Sequence, residues 1–249
     1  MKIAIAGGTG TVGRLVVDAA QERWHEVVVL TRSNGVDVTA GSGIVAALAG
    51  VDVVIDVLNV TTLKKAEAVA FYETTTENLL DAERQAGVAH HVALSIVGID
   101  TSPSGYYEGK LAQERGVKAG QVPWTILRAT QFHEFAPQMF GTLRQGPVMP
   151  IPIMATQPVA AREVAEMLVG IAEASPRRAT LQLAGPAPER LVDMVRSDGR
   201  ATGVKVLYVP LNLPGASMVA MRDGTLLPKG EYRKGRESYA QWLERVTSR

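Results

Sequence analysis

The stretch that most limits what this chain can become is GGTGTVG at residues 7–13. It stands between a short apolar run, KIAIA at 2–6, and the segment TVGRLVVDAAQER at 11–23, whose apolar residues include positions 12, 15, 16 and 19. The first run reads as a strand and the second has the spacing of an amphipathic helix. Gly7, Gly10 and Gly13 fall at three-residue intervals across the join. Glycines there permit a tight turn, let backbone N–H groups approach an anion, and allow the helix to pack closely on the strand. The helix N-terminus adds unpaired donors and the positive end of a dipole. Strand, glycine loop and helix in this order suit a pyrophosphate cradle, with Thr9, Thr11 and Val12 completing the loop. A merely tight strand-to-helix turn is the plain alternative, and the flanking context weighs against it.

The alternation continues. EVVVLTR at 26–32 and VDVVIDVLNV at 51–60 are runs typical of strands buried on both faces. VDV at 36–38 is a short strand candidate and GIVAALAG at 43–50 a short helix. A helix over 72–86 stops at Gly87, a natural C-terminal cap. HHVALSIVG at 90–98 and WTILRA at 124–129 are strands, with a helix over 105–119 between them. Strand and helix alternating through residue 130 predict an α/β chain built on a doubly wound parallel sheet. Beyond 130 the rhythm changes. GPVMPIPIMATQP at 146–158 is proline-rich, helices are expected at 161–173, 188–199 and 235–247, and short strands near 180–183 and 204–208. The expectation is one domain over 1–249, with segments 131–160 and 186–235 supplying its substrate side.

Charge and composition exclude several classes. Lys plus Arg is 26 against 25 for Asp plus Glu, so a net charge of +1 gives no reason to expect a nucleic acid. The one dense basic stretch, KGEYRKGR at 229–236, reads as a solvated turn. Without cysteine there is no disulfide and no thiolate metal site. The histidines at 25, 90, 91 and 133 form no ligand pattern, so no metal is expected. No apolar run approaches the ~20 residues of a membrane span, and the N-terminal run is too short for a signal-peptide core. The default expectation is a soluble, cytoplasmic protein.

The second strand ends in LTRS, with Arg32 and Ser33 where an acid would bind a ribose 2′-hydroxyl. A guanidinium there can grip a 2′-phosphate, which favours NADP(H) over NAD(H). Asp37 is placed to meet the adenine, or is equally a simple turn acid. Downstream, YYEGK at 106–110 sets Tyr106 and Lys110 four residues apart, on one face of a helix. Gly109 falls inside that helix, where glycine costs ~1 kcal/mol relative to alanine.

Together GGTGTVG, TRS, YYEGK, VPWTILRATQFHEF at 122–135 and QPVAAREVAEML at 157–168 resemble the short-chain dehydrogenase/reductase superfamily. The likeness is greatest to its atypical, NmrA-like branch of NAD(P)-binding proteins, and it covers nearly the whole chain. The resemblance implies a Rossmann sheet of order 3-2-1-4-5-6-7 with a dinucleotide across the C-terminal strand ends. It implies Tyr106 as proton donor or acceptor, Lys110 beside it, and an upstream Ser95 holding the substrate oxygen. Ser102 and Ser104 are alternatives to Ser95. A free phenol has a pKa of roughly 10, and a nearby ammonium lowers it. Asn59, Val60, Ala129, Thr130 and Gln131 would line the nicotinamide side, and Phe132 and His133 the substrate space. For His133 a helix-start role competes, and Asn78, which could resemble the superfamily's catalytic-helix asparagine, is expected rather to bond backbone or to lie at the surface.

The implied activity is an NADP(H)-dependent oxidoreductase acting on a carbonyl or quinone-like small molecule. One alternative is a non-catalytic NADP-binding sensor that a partner reads. Another is a sugar-nucleotide epimerase or dehydratase holding NAD, against which Arg32 and the short C-terminal part argue. PVMPIPIM at 147–154 suggests an apolar wall and hence an apolar or aromatic substrate. Superfamily members often pair through helices beside the catalytic one, and nothing in the sequence decides whether this chain forms an oligomer.

Overall fold

The computed structural model describes residues 1–62, 64–101 and 105–248. Contacts divide the chain into two compact units, the first formed by residues 1–99, 103–128 and 162–181, the second by 100–102, 129–161 and 182–249. In chain order the first stretch gives β1 (Lys2–Ala6), α1 (Thr11–Glu22), β2 (Glu26–Leu30), a 3-10 turn at Arg32–Asn34, α2 (Ile44–Ala47) and β3 (Val53–Asp56). It continues with α3 (Lys65–Ala86), β4 (His90–Ile96), α4 (Gly105–Ala119) and β5 (Trp124–Ala129). Then come α5 (Phe135–Leu143), β6 (Val148–Pro152), β7 (Ala155–Thr156), α6 (Ala161–Ala172), β8 (Thr180–Ala184) and β9 (Glu189–Arg190). The chain ends with α7 (Leu191–Ala201), β10 (Leu207–Leu211), α8 (Ala216–Arg222), β11 (Arg233–Lys234) and α9 (Tyr239–Thr247).

The central sheet is parallel and seven-stranded, in the order β11-β8-β5-β4-β3-β1-β2. β1 pairs in register with β2 and with β3, and β3 with β4. Ile3 to Ala6 and Val53 to Asp56 are all buried, as in a sheet with both faces covered. α1 turns Val12, Gly13, Val16, Ala19 and Ala20 inward. Residues 36–38, expected as a strand, form only an antiparallel bridge, Asp37 to Ser42, so the sheet stops at β2.

The helix expected to start at 72 starts at Lys65. Its start signal lies upstream, where the Thr62 hydroxyl donates to Glu67 and accepts from the Lys64 N–H. Gly87 closes this helix in the left-handed conformation, as its position in the sequence predicts.

In the second unit the segment 131–160, for which the sequence suggests no helix or strand, carries α5, β6 and β7. Pro137 sits in the first turn of α5, where a missing N–H costs nothing. β6 pairs in parallel with β10 and β7 pairs antiparallel with β9. Met149, Ile151, Leu191, Val195 and Trp242 lie in one apolar cluster.

Among the described residues no helix is long and apolar enough to cross a membrane, and no group of three or more histidines, aspartates or glutamates is placed to hold a metal.

Candidate dinucleotide site and its proton-carrying cluster

The glycine loop follows β1 directly. Gly7 has a φ of 84°, and a Cβ there would come within 2.8 Å of the Val57 carbonyl oxygen. A Cβ on Gly13 would run into the Gly7 carbonyl oxygen. Only glycine permits both the turn and this approach of α1. The Gly10 N–H donates to the Gly7 carbonyl at 3.0 Å, and no side chain caps α1. The first turn of that helix also carries no acid. Thr9, Gly10 and Thr11 are exposed, while Val12 packs inward. An uncapped helix end beside a cradle that any Cβ would fill suits a pyrophosphate.

At the end of β2 the 3-10 turn presents Arg32, whose Nε donates to Asp37 at 3.0 Å. The other Asp37 oxygen accepts from the N–H groups of Thr39 and Ala40 and from the Thr39 hydroxyl. These bonds hold the carboxyl below its ordinary value. Asp37, expected against the adenine, is thus occupied in shaping its own loop and orienting Arg32. The Arg32 side chain is 78% exposed, and the Thr31 and Ser33 hydroxyls lie 3.3 Å apart beside it. Asn78 donates to the carbonyls of Val38 and Thr39 and pins the same loop to α3.

The loop after β3 brings Asn59 and Val60 next to the glycine turn, since the Val57 N–H donates to the Ala6 carbonyl at 3.0 Å. Tyr106, near the start of α4, donates to Asn59 Oδ1 at 2.6 Å. A second phenol, Tyr72 of α3, reaches the same oxygen at 3.2 Å and the Tyr106 hydroxyl at 3.1 Å. Lys110 is buried, donates to the Leu94 carbonyl at 2.7 Å, and lies 4.7 Å over the Tyr72 ring.

Gly109 explains how α4 comes so close. A Cβ there would stand 2.7 Å from the Ala68 carbonyl oxygen and 2.7 Å from the Tyr72 ring. Burial pushes the Tyr106 phenol above its ordinary value, and the bond from Tyr72 opposes this in part. Burial draws Lys110 down to about 8, against the pull of the Asp56 and Glu114 carboxylates.

Ser95 has a different partner. Its hydroxyl donates to Glu114 Oε1 at 2.6 Å, and the serine is 2% exposed. The same carboxylate accepts two bonds from Arg128, at 2.8 and 2.9 Å, and one from Lys118 at 2.8 Å. Burial alone would raise Glu114, but these donors outweigh it and hold it at about 2. The structure thus joins Tyr106 and Lys110 through Tyr72 and turns the Ser95 proton toward an ionised carboxylate. Ser102 and Ser104 lie outside the described residues.

In the second unit, the Thr130 hydroxyl donates to the Gln157 carbonyl at 2.6 Å, and Gln131 accepts from Thr156 at 2.8 Å. Ala129 is buried, and Phe132 bridges to Val159. His133, expected toward the substrate, is fully buried. Its Nε2 lies 3.0 Å from the Glu237 carbonyl, and its ring packs against Tyr239 and Trp242.

The NAD(P)H-binding family model matches residues 7–175. The chain belongs to this NAD(P)H-binding family. No curated protein matches the sequence significantly. Among solved structures, the NADPH-dependent quinone oxidoreductase of Escherichia coli, complexed with NADPH, is 18% identical with a TM-score of 0.75, covering 98% of this chain and 99% of its own. The triphenylmethane reductase of Citrobacter sp., complexed with NADP(H), is 16% identical with a TM-score of 0.73, covering 99% and 100%. The UDP-N-acetylglucosamine 4-epimerase of Bacillus cereus is 18% identical with a TM-score of 0.74, covering 100% and 96%. At such identities the likeness is one of fold. Family and fold agree with the resemblance read from the sequence.

Sequence reasoning missed Tyr72, Glu114 and Arg128. A signal existed for Tyr72. It shares the buried face of α3 with Ala68, Thr75, Thr76 and Leu79, and a tyrosine on such a face has to find a partner for its hydroxyl. Placing the helix start at 72 hid that face.

Proposed function

We propose that this protein is an NADPH-dependent reductase of a carbonyl or quinone-like small molecule, with Tyr106 as the proton donor. The observation that carries the reading is the Tyr106 phenol. It is fixed by Asn59 beside the glycine loop and held in its protonated form by burial. A phenol kept protonated suits donation to an oxygen that gains charge as its carbon is reduced. NADPH, when bound, supplies the hydride. Gly7, Gly10 and Gly13, with Thr9, Thr11 and Val12, would hold the pyrophosphate, and Arg32 with Ser33 the 2′-phosphate. Lys110 places a positive charge behind the two phenols. Asn59 and Val60 would border the nicotinamide, with Ala129, Thr130 and Gln131 as the further candidates. An apolar substrate is favoured by the chain's proline-rich 147–154 segment.

One observation favours a second reading, that of a dinucleotide sensor without turnover. The Ser95 proton is committed to Glu114, which leaves Tyr106 without a second hydroxyl donor from β4.

The test is titration of the purified protein with NADPH and NADH, then a quinone and carbonyl panel with the wild type and Tyr106→Phe. The expected result is tighter binding of NADPH, its oxidation on a panel member, and loss of turnover in Tyr106→Phe with NADPH affinity kept. Turnover persisting in that variant sinks the donor assignment, and binding of neither nucleotide removes the cofactor reading.

A further inference from the structure

Tyr72 has no part in the reading above, yet it is a fully buried phenol aimed at the one group to which that reading gives a proton. Its single proton has three acceptors in reach, the Tyr106 oxygen at 3.1 Å, Asn59 Oδ1 at 3.2 Å and, more distant, the Leu58 carbonyl at 3.5 Å. Tyr106 in its neutral form uses Asn59, at 2.6 Å. Once Tyr106 has lost its proton, its oxygen becomes the stronger acceptor, and rotation about the Tyr72 C–O bond turns the Tyr72 proton onto it. No heavy atom has to move.

We propose that Tyr72 is a positioning residue that donates its hydroxyl to the Tyr106 phenolate formed on proton transfer. In the step, the Tyr106 O–H bond breaks as the O–H bond of the reduced substrate forms, and the hydride comes from NADPH. Tyr72 keeps its own proton throughout, and Tyr106 recovers one from water after product leaves. A fixed donor aimed at developing negative charge is effective because it needs no reorganisation at that moment.

The surroundings keep Tyr72 a donor. Burial, the neighbouring Tyr106 and the Asp56 carboxylate oppose its ionisation and outweigh a backbone hydrogen bond from Val60 that favours it. Asp56 is itself held by the Leu58 N–H and by Gln113 of α4. Lys110 lies over the Tyr72 ring rather than at its oxygen. Glu108, paired with Lys65, Tyr107 beside Tyr106, and Glu114, whose charge acts on Lys110, are further ionisable groups around the cluster.

The role in turnover rests on the reductase reading, but the interaction does not, and the experiment separates them. A ring-fluorinated tyrosine, more acidic than tyrosine, is placed at position 106, and its phenolate is titrated by ultraviolet absorbance with and without Tyr72→Phe. The change to phenylalanine keeps the ring beneath Lys110. The expected result is a midpoint raised by roughly one pH unit. With the native Tyr106, kcat should fall about tenfold while the substrate KM stays put. A shifted midpoint with no turnover in either protein supports the interaction and sinks only the reductase reading. An unmoved midpoint overturns the proposal whatever the turnover. Should Tyr72→Phe fail to fold, fluorotyrosine at position 72 in the native background keeps every heavy-atom contact and strengthens the donor. The limb of the kcat profile set by loss of the Tyr106 proton then has to move to lower pH, and its failure to move overturns the proposal.

Discussion

Glu114 shows how far a side chain's role depends on what surrounds it. Four hydrogen bonds from three residues hold its carboxyl at about 2 against a starting value of 4.5. A carboxyl depressed in the fold stabilises it above the ordinary value, and that contribution fades as pH falls from 4.5 toward 2. The size is about 3 kcal/mol at neutral pH. Glu114→Gln should lose a stability of that order and flatten the acid limb of a plot of urea midpoint against pH. An unchanged limb means that Glu114 does not carry it. Arg32 gives the second residue-scale expectation. Arg32→Ala should weaken NADPH about 10- to 100-fold, the worth of a charged hydrogen bond, and leave NADH within a few fold, as read by nucleotide fluorescence titration. The types and spacings of Tyr106, Lys110 and Arg32 were legible in the sequence. The partner of Ser95 was not, because strand periodicity says which face a residue takes and nothing about which carboxylate from the next helix will meet it.

Two helices, α3 and α4, set the geometry of the phenols. Gly109 looks like a weak point in the sequence, but in the structure it is the place where α4 reaches the Ala68 carbonyl and the Tyr72 ring. Gly109→Ala should raise intrinsic helix propensity and still destabilise the protein by about 1–3 kcal/mol through overpacking. Thermal unfolding reads the sign directly, and a stabilised variant would refute the close-packing account. At α9, Ser238 caps the helix reciprocally with Gln241, and Ser238→Ala should cost about 1 kcal/mol by the same measurement. Strands with continuous apolar runs and helices with clear caps were readable. The helix α5 was not, since Pro137 and Gly141 both read as breakers. Residues 36–38 have strand-like composition, but the Asp37 carboxylate gathers its own loop and diverts the backbone from the sheet.

On the scale of the molecule, the alternation of the first 130 residues was enough for a doubly wound parallel sheet, because each strand and helix there follows its neighbour in sequence. The grouping of segments into units was not legible. Helix α6, far down the chain, belongs with the first unit. There Glu173 accepts from Arg23 at 2.8 Å and meets His25 at 2.9 Å. No local pattern announces a pairing across 150 residues. A fragment ending at Arg128 therefore lacks part of its own unit. It should show neither a cooperative thermal transition nor NADPH binding, and circular dichroism with a nucleotide titration checks both. The same interleaving bears on how the chain is made. As it leaves the ribosome, residues 129–161 of the second unit emerge before the last segment of the first is available. The first unit is complete only once residue 181 has emerged, so over that interval the apolar strands β1, β3 and β4 lack part of their unit, and exposed apolar surface of that kind is where a nascent chain is open to aggregation.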